Sequence, residues 1–484
     1  MLSRHMLIKG TPYAHQREAF GFALDLHAAS SRGVALLMEM GTGKTITSIA
    51  IAGALYQAGK IDRVLIVAPL SILGVWEEEF AKFADFEYTL NILQGRIDCK
   101  ADTLRNMRGE ALQVAVVNYE SAWRMEAEIL AWKPDLIIAD EGHKIKTHNT
   151  NASKCMHRLG ARARYRLLLT GTLITNKALD VFSQYKFLNP SIFGQSFYTF
   201  RGRYFNMTGY GKYTPVLKKS LEPELLRQMH SIAFRVTKAE CLDLPETTDI
   251  VRFVDLDNEA VRTYKEIVKD SYAELEKGEI TVTNVLTKLM RLSQLTGGFI
   301  HADDNSKPVQ ISASKLDALE DVIESIQAEG GKIVVIARFL AEIKAISNML
   351  EKRCIGYALI TGEVKDRSAE VDKFQNDPSV TVFIGQIQTA AMGITLTSAS
   401  TMVFYSMDYS MSNYEQARAR IHRVGQKNAC TYIHLIAKST IDEKVLKALR
   451  DKTDLARGLI DDYKNGVNPF GNDINVVATK ETVI

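Results

Sequence analysis

At 484 residues the chain exceeds what one hydrophobic core supports, so two or three domains are expected, and 46% apolar with 24% charged residues argues against wholesale disorder. The net charge of +3 is too small to prove a nucleic-acid partner, though it permits a local basic channel. Cys99, Cys155, Cys241, Cys354 and Cys430 are scattered, which argues against a zinc site or disulfide framework and for a reducing compartment, and no apolar run approaches the ~20 residues of a membrane span. A cytoplasmic protein with no membrane association is the expectation.

The first half alternates short apolar runs with helical patterns. Strands are expected at Val34–Met38, Val64–Ala68, Val114–Asn118, Leu136–Asp140 and Tyr165–Thr170, with helices such as Thr45–Ala58 and Leu73–Phe83 between them. This order implies a parallel sheet covered on both faces. From about 177 to 237 the pattern turns aromatic and basic, as in Phe193-Gly194-Gln195-Ser196-Phe197-Tyr198, and reads as a helical insertion. A second series of strands follows at Ile333–Ala337, Gly356–Ile360, Val380–Gly385, Met402–Ser406 and Tyr432–Ala437, entered through Asp243-Leu244-Pro245 and a helical segment at about 258–300. The expected fold class is α/β, with a first domain at 1–240, a second at 241–440, and a brace helix and tail at 441–484.

Four constellations carry chemistry. Met38-Glu39-Met40-Gly41-Thr42-Gly43-Lys44-Thr45 sits between a strand and a helix. Gly41 and Gly43 let backbone N–H groups, with Thr42 between them, approach phosphate oxygens; Lys44 can reach the β/γ-phosphates of a nucleotide and Thr45 can ligate magnesium. Met38 stands where the general pattern has glycine. Asp140 and Glu141 end a strand, where Asp140 can hold magnesium and Glu141 can polarise a water. Thr170-Gly171-Thr172 ends the next strand with two hydroxyls that can sense phosphate. Finally, Gln416-Ala417-Arg418-Ala419-Arg420-Ile421-His422-Arg423-Val424-Gly425-Gln426 places Arg420 and Arg423 on one face of an expected helix, suited to the charge on a transferring phosphoryl group.

These residues resemble the superfamily-two helicase-like ATPases of the Swi/Snf branch, whose last motif the string 416–426 approaches most closely, and the likeness spans roughly Thr11 to Leu449. It implies two RecA-like domains in tandem, ATP and Mg2+ as cofactors, and DNA as partner, mainly duplex or branched and without sequence preference. It assigns Gln16, in Pro12-Tyr13-Ala14-His15-Gln16, to the adenine edge, and Gly393 and Gln416 to the nucleotide from the second domain. Lys44, Asp140, Glu141, Arg420 and Arg423 become catalytic, while Thr170 and Thr172 couple hydrolysis to movement. Pro69, Ser71, Asn118, Tyr119 and Thr389 would grip a DNA backbone, and Arg201, Arg203, Lys212, Lys218 and Lys219 would hold the duplex or second strand. Ala391 and Thr395 depart from the usual glycine and asparagine, which bears on DNA grip.

Lys44 and Arg423 are 379 positions apart (423 − 44), so they meet only if the two domains close on ATP. The resulting expectation is a monomeric, DNA-dependent ATPase that translocates and remodels DNA beside replication or recombination proteins, of compact bacterial or phage type. An ATP-gated clamp, or the recognition subunit of a larger DNA-processing complex, is the alternative, and an RNA helicase stands third.

Overall fold

The computed structural model describes residues 3–29, 31–171, 178–208, 214–241, 244–277, 282–300, 308–364, 366–390, 394–451 and 455. The chain divides into two compact units, Met1–Asp243 and Leu244–Ile484, each built on its own parallel sheet.

In the first unit, β1 (Gly33–Met38), β2 (Arg63–Ala68), β3 (Tyr88–Ile92), β4 (Leu112–Asn118), β5 (Leu136–Asp140) and β6 (Tyr165–Thr170) are followed by the antiparallel hairpin β7 (Phe205–Thr208) and β8 (Thr214–Leu217), then by β9 (Ala233–Val236). The sheet order is β3-β4-β2-β5-β6-β1-β9, every pairing parallel. Alternate side chains feed two cores: Ala35 and Leu37 of β1 enter one, and Val34, Leu36 and Met38 the other. A sheet buried on both faces requires that continuous apolar run.

The second unit repeats the plan. β10 (Thr247–Val254), the short antiparallel pair β11 (Phe299–Ile300) and β12 (Val309–Gln310), β13 (Ile333–Ala337), β14 (Gly356–Ile360), β15 (Val380–Gln386), β16 (Thr401–Phe404) and β17 (Cys430–Ala437) occur in that order. The main sheet runs β10-β17-β16-β13-β15-β14, again all parallel. Val334 and Ile336 face one core; Ile333, Val335 and Ala337 face the other.

Three features differ from expectation. The stretch read as a helical insertion also contains the hairpin β7–β8, and it ends in β9, which returns to pair with β1. Edge strands β3, β9 and β10 add to the expected set, because strands with one solvent-facing side lack a continuous apolar run; only one residue of β10, Val254, is buried. The C-terminal helix is described over Ile441–Arg450, where Ile441, Val445, Leu446 and Leu449 are buried in the second unit's own core. Its first turn is held by a buried pair, Lys315 Nζ to Asp442 Oδ2 at 2.6 Å.

Candidate functional site

The sheet order of the first unit brings the motifs together. β5, β6 and β1 are consecutive neighbours, so Asp140 pairs with Leu169 and Thr170 pairs with Leu37 at the strands' carboxyl ends, beside the loop after Met38. In an open parallel sheet that edge is where ligands bind.

The loop takes its shape from glycines with positive φ, 82° at Gly41 and 90° at Gly43, a region closed to most side chains. Gly43 caps the helix Lys44–Gln57, and a Cβ on it would lie 2.2 Å from Gln16 Nε2. Thr42 is buried, its hydroxyl donating to the Glu39 carbonyl at 2.7 Å. Lys44 Nζ donates to the carbonyls of Met38 (2.8 Å) and Glu39 (3.3 Å), and Thr45 is half-buried in the helix's first turn. Met38 is itself core, which accounts for an apolar residue where the pattern has glycine. Glu39 ties the loop to the end of the unit, since its Oε2 accepts the Lys238 backbone N–H at 2.9 Å and its N–H donates to the Val236 carbonyl at 3.1 Å.

Gln16 is hydrogen-bonded at both ends of its amide. Its Oε1 accepts from the Tyr13 N–H (3.0 Å) and its Nε2 donates to the Thr42 carbonyl (3.2 Å), which His15 Nε2 also approaches at 2.7 Å. The side chain is buried and bonded to the phosphate loop.

Asp140 lies at the end of β5 with both oxygens engaged. Trp76 Nε1 donates to Oδ2 at 3.1 Å, and the Glu141 N–H donates to Oδ1 at 2.9 Å. Burial, and then the Glu141 charge, push the Asp140 carboxyl up to about 7, against the opposing pull of Lys44 and the two hydrogen bonds. Glu141 adopts φ 50° and ψ 54°, a left-handed conformation costly for a residue with a side chain and typical of functional positions. Its Oε2 lies 3.2 Å from His143 Nδ1. The next residue packs so closely that a Cβ on Gly142 would come within 2.5 Å of Leu168. Thr170 is buried, and Gly171 lies against the loop, its virtual Cβ 3.6 Å from the Met38 carbonyl; Thr172 falls outside the described residues.

Among the expected DNA contacts, Pro69 is half-buried after β2 and Ser71 lies in the 3-10 turn Leu70–Ile72. Asn118 is buried, with Nδ2 donating to Glu120 Oε2 at 2.9 Å. The Tyr119 hydroxyl donates to the Asp140 carbonyl at 2.7 Å, and the residue is buried. Thr389 is buried as well, its hydroxyl donating to the Gln386 carbonyl at 2.8 Å.

In the second unit the helix Met411–Arg418 stops before the two arginines, so they do not share a helical face. They converge by another route: the NH1 groups of Arg420 and Arg423 both donate to the Ile394 carbonyl, at 3.5 and 3.3 Å. Gln426 holds this turn, its Nε2 donating to the carbonyls of Thr397, Ala399 and Ile421 and its Oε1 accepting from Lys427 and Asn428. Arg418 is structural: it pairs with Asp249 through both guanidinium nitrogens and lies 3.8 Å over the Tyr432 ring. Gln416, expected on the phosphate side, is buried with Nε2 donating to Ser412 Oγ at 3.3 Å. Gly393 and Ala391 lie outside the described residues. Trp76 has no motif to announce it, since an isolated tryptophan looks like core, and Gln426 closes the arginine string without a role read for it.

Among the described residues no group of three or more His, Cys, Asp or Glu side chains forms a metal cage. One carboxylate and one hydroxyl, Asp140 and Thr45, suit a cation such as Mg2+ that completes its shell with phosphates and water.

The chain matches the SNF2-related domain over residues 15–297 and the helicase conserved C-terminal domain over residues 314–425. It is 27% identical to the DNA repair and recombination protein RAD54-like of Drosophila ananassae, covering 95% of this chain and 64% of that one. It is 26% identical to the DNA repair and recombination protein RDH54 of Saccharomyces cerevisiae (strain ATCC 204508 / S288c), covering 91% and 51%. The chain thus spans between half and two thirds of these relatives' lengths. Among solved structures it is similar to the Sulfolobus solfataricus SWI2/SNF2 ATPase core in complex with dsDNA, at 26% identity, 97% and 96% coverage and a TM-score of 0.47. The same organism's SWI2/SNF2 ATPase core domain gives 22% identity, 96% coverage of each chain and a TM-score of 0.44. The fly and yeast relatives are eukaryotic, and lend the bacterial or phage expectation no support.

Proposed function

This chain belongs to the SNF2-related family of helicase-like, DNA-dependent ATPases, and from that premise we propose that it is an ATP-driven translocase that remodels duplex or branched DNA. The observation that carries the reading is that the loop leading from β1 to Lys44, and Asp140 and Glu141 at the end of β5, lie at the carboxyl edge of one sheet on either side of β6, with Lys44 in the field of Asp140.

In this reading the loop Glu39–Gly43 and Lys44 take the nucleotide's phosphates, the ammonium exchanging the Met38 and Glu39 carbonyls for phosphate oxygens. Thr45 and Asp140 would hold Mg2+, which when bound supplies charge for the developing phosphate oxyanions. Glu141, fixed by its strained backbone and by His143, orients a water and accepts its proton. Arg420 and Arg423, already converging on one carbonyl, stabilise the transferring phosphoryl group when the two units close on ATP. Opening after hydrolysis releases them, and alternate grip on one strand moves the protein along DNA. The names of the fly and yeast relatives extend the proposal to recombination proteins as partners.

The test is ATP hydrolysis measured across single-stranded, duplex, forked and four-way DNA, together with displacement of the third strand of a triplex. Strong stimulation by duplex DNA with clearing of the third strand supports a motor. Duplex binding with ATP but no clearing overturns translocation in favour of a clamp, and equal stimulation by RNA removes the DNA assignment.

A further inference from the structure

One cluster of the first unit takes no part in the ATP chemistry. The helix Phe197–Tyr204 begins at Ser196, whose hydroxyl accepts the Thr199 N–H, and it buries Phe200 and Tyr204 while leaving Tyr198 69% exposed. The Arg201 guanidinium lies 5.8 Å over the Phe197 ring and 5.3 Å over the Tyr198 ring. On the other side of Phe197, the His148 ring stacks at 3.8 Å with an interplanar angle of 13°. Lys186 reaches across the Phe182 ring at 5.9 Å and donates to the Gln195 carbonyl at 2.8 Å, and Lys154 is exposed on the helix Asn151–Arg162.

This corner gathers positive charge. Burial holds His148 below the usual histidine range, and the charges that act with burial on its imidazole are those of Lys186, Lys154 and Arg201, all positive. Other basic residues of the same segment are committed elsewhere. Arg203 pairs with Glu224 at 2.6 Å, and Lys218 Nζ donates to the carbonyls of Gly202 and Arg203 at 2.9 and 2.8 Å. The cluster therefore offers an exposed aromatic ring set among cations, which is the composition that receives a nucleotide: the ring stacks on a base while the cations meet phosphate.

We propose that Tyr198 and Arg201, flanked by His148, Lys154 and Lys186, form a binding site for an unpaired nucleotide of a DNA strand. An intact duplex presents phosphates but keeps its base faces stacked on one another, so Tyr198 has nothing to stack against there. A fork, a gap or a displaced strand offers both. The loop that carries His148 begins at the Glu141-Gly142-His143 turn, so an occupied site steadies the segment that holds the water-orienting carboxylate. The inference rests on the DNA-dependent ATPase reading and narrows it to a class of DNA structure.

The experiment uses the full chain, a labelled oligothymidylate and a matched blunt duplex, with binding followed by fluorescence anisotropy. Tyr198→Ala and Arg201→Glu each weaken oligothymidylate binding by about tenfold and change duplex binding by less than about twofold, and Tyr198→Phe retains single-strand affinity. Thermal melting of each variant near the wild-type Tm establishes that the exposed changes leave the fold intact. Unchanged oligothymidylate affinity in both variants overturns the site. Equal losses on duplex overturn its preference for unpaired DNA, and variants that lose binding to a poly-glutamate peptide but not to DNA assign the corner to an acidic protein. Wild-type ATP hydrolysis separates the two failures: no stimulation by any DNA removes the parent reading, whereas normal stimulation with unaltered Tyr198 and Arg201 variants removes only this site.

Discussion

Each unit buries a carboxyl group that is pushed up to about 7, Asp140 in the first and Glu342 in the second, with burial the main cause in both. Their surroundings differ. One oxygen of Glu342 accepts the backbone N–H groups of Arg338 and Phe339, at 3.2 and 3.1 Å, and the Ser406 hydroxyl, so it caps the start of the helix Leu340–Lys352. Asp140 ends a central strand, one residue from a second carboxylate and within the field of Lys44. The pair shows that a displaced titration marks burial; position at the carboxyl edge of the sheet beside a phosphate loop marks chemistry.

The largest effects should separate the two. Lys44→Ala, Glu141→Gln and Asp140→Asn should each lower DNA-stimulated ATP turnover by about 10³-fold, while Glu342→Gln should stay within about threefold of wild type. A steady-state ATPase assay decides, and an active Glu141→Gln variant would remove Glu141 from its role. Next in size is the arginine turn. Arg420→Ala should cost about 10³-fold in kcat, whereas Arg418→Ala should leave the turnover of folded protein nearly unchanged and cost about 2 kcal/mol of stability, read as a lower Tm.

Stability against pH should instead make the two carboxyls alike. A folded-state value of about 7 lies above the ordinary carboxyl range, so the native state retains protons the unfolded chain has released. The cost of the buried charge is absent below about pH 4, grows as pH rises, and is complete above about pH 7. Asp140→Asn and Glu342→Gln should therefore both raise Tm relative to wild type at pH 8 and leave it almost unchanged at pH 4. A gain confined to one of them would show that their burial is not equivalent. The smallest effect is at Trp76. Trp76→Phe removes a hydrogen bond that favours ionised Asp140, so the acid limb of the ATPase pH profile should move up, by no more than about one unit.

What can be read from the chain tracks how local each interaction is. The central strands announce themselves because both faces are buried, and Leu136–Asp140, Tyr165–Thr170 and Ile333–Ala337 begin and end where the apolar pattern does. Edge strands β3, β9 and β10 carry mixed faces and give no such signal. Lys44 is legible because the carbonyls it reaches, Met38 and Glu39, lie in its own loop. Arg420 and Arg423 reach a carbonyl at Ile394, so their convergence belongs to the tertiary structure and does not depend on a shared helical face. Gln16, Tyr119, Thr389 and Gln416 form a mixed set. Each carries a polar group that suits a ligand; those of Gln16 and Tyr119 meet partners that only the fold brings within reach, while Thr389 and Gln416 bond three and four residues back in their own helical turn.

Glu39 joins two of these places at once, its carbonyl on Lys44 and its carboxylate on the amide of Lys238, at the start of the short helix Lys238–Cys241 that closes the first unit. The Lys238 amide proton is thereby a built-in reporter. If nucleotide draws Lys44 away and the loop shifts, the exchange rate of that single amide with solvent should change with ATP analogue, and in Glu39→Ala that response should be lost. Occupancy of the phosphate loop would then be legible at the far end of the same unit, in a signal that needs neither DNA nor turnover.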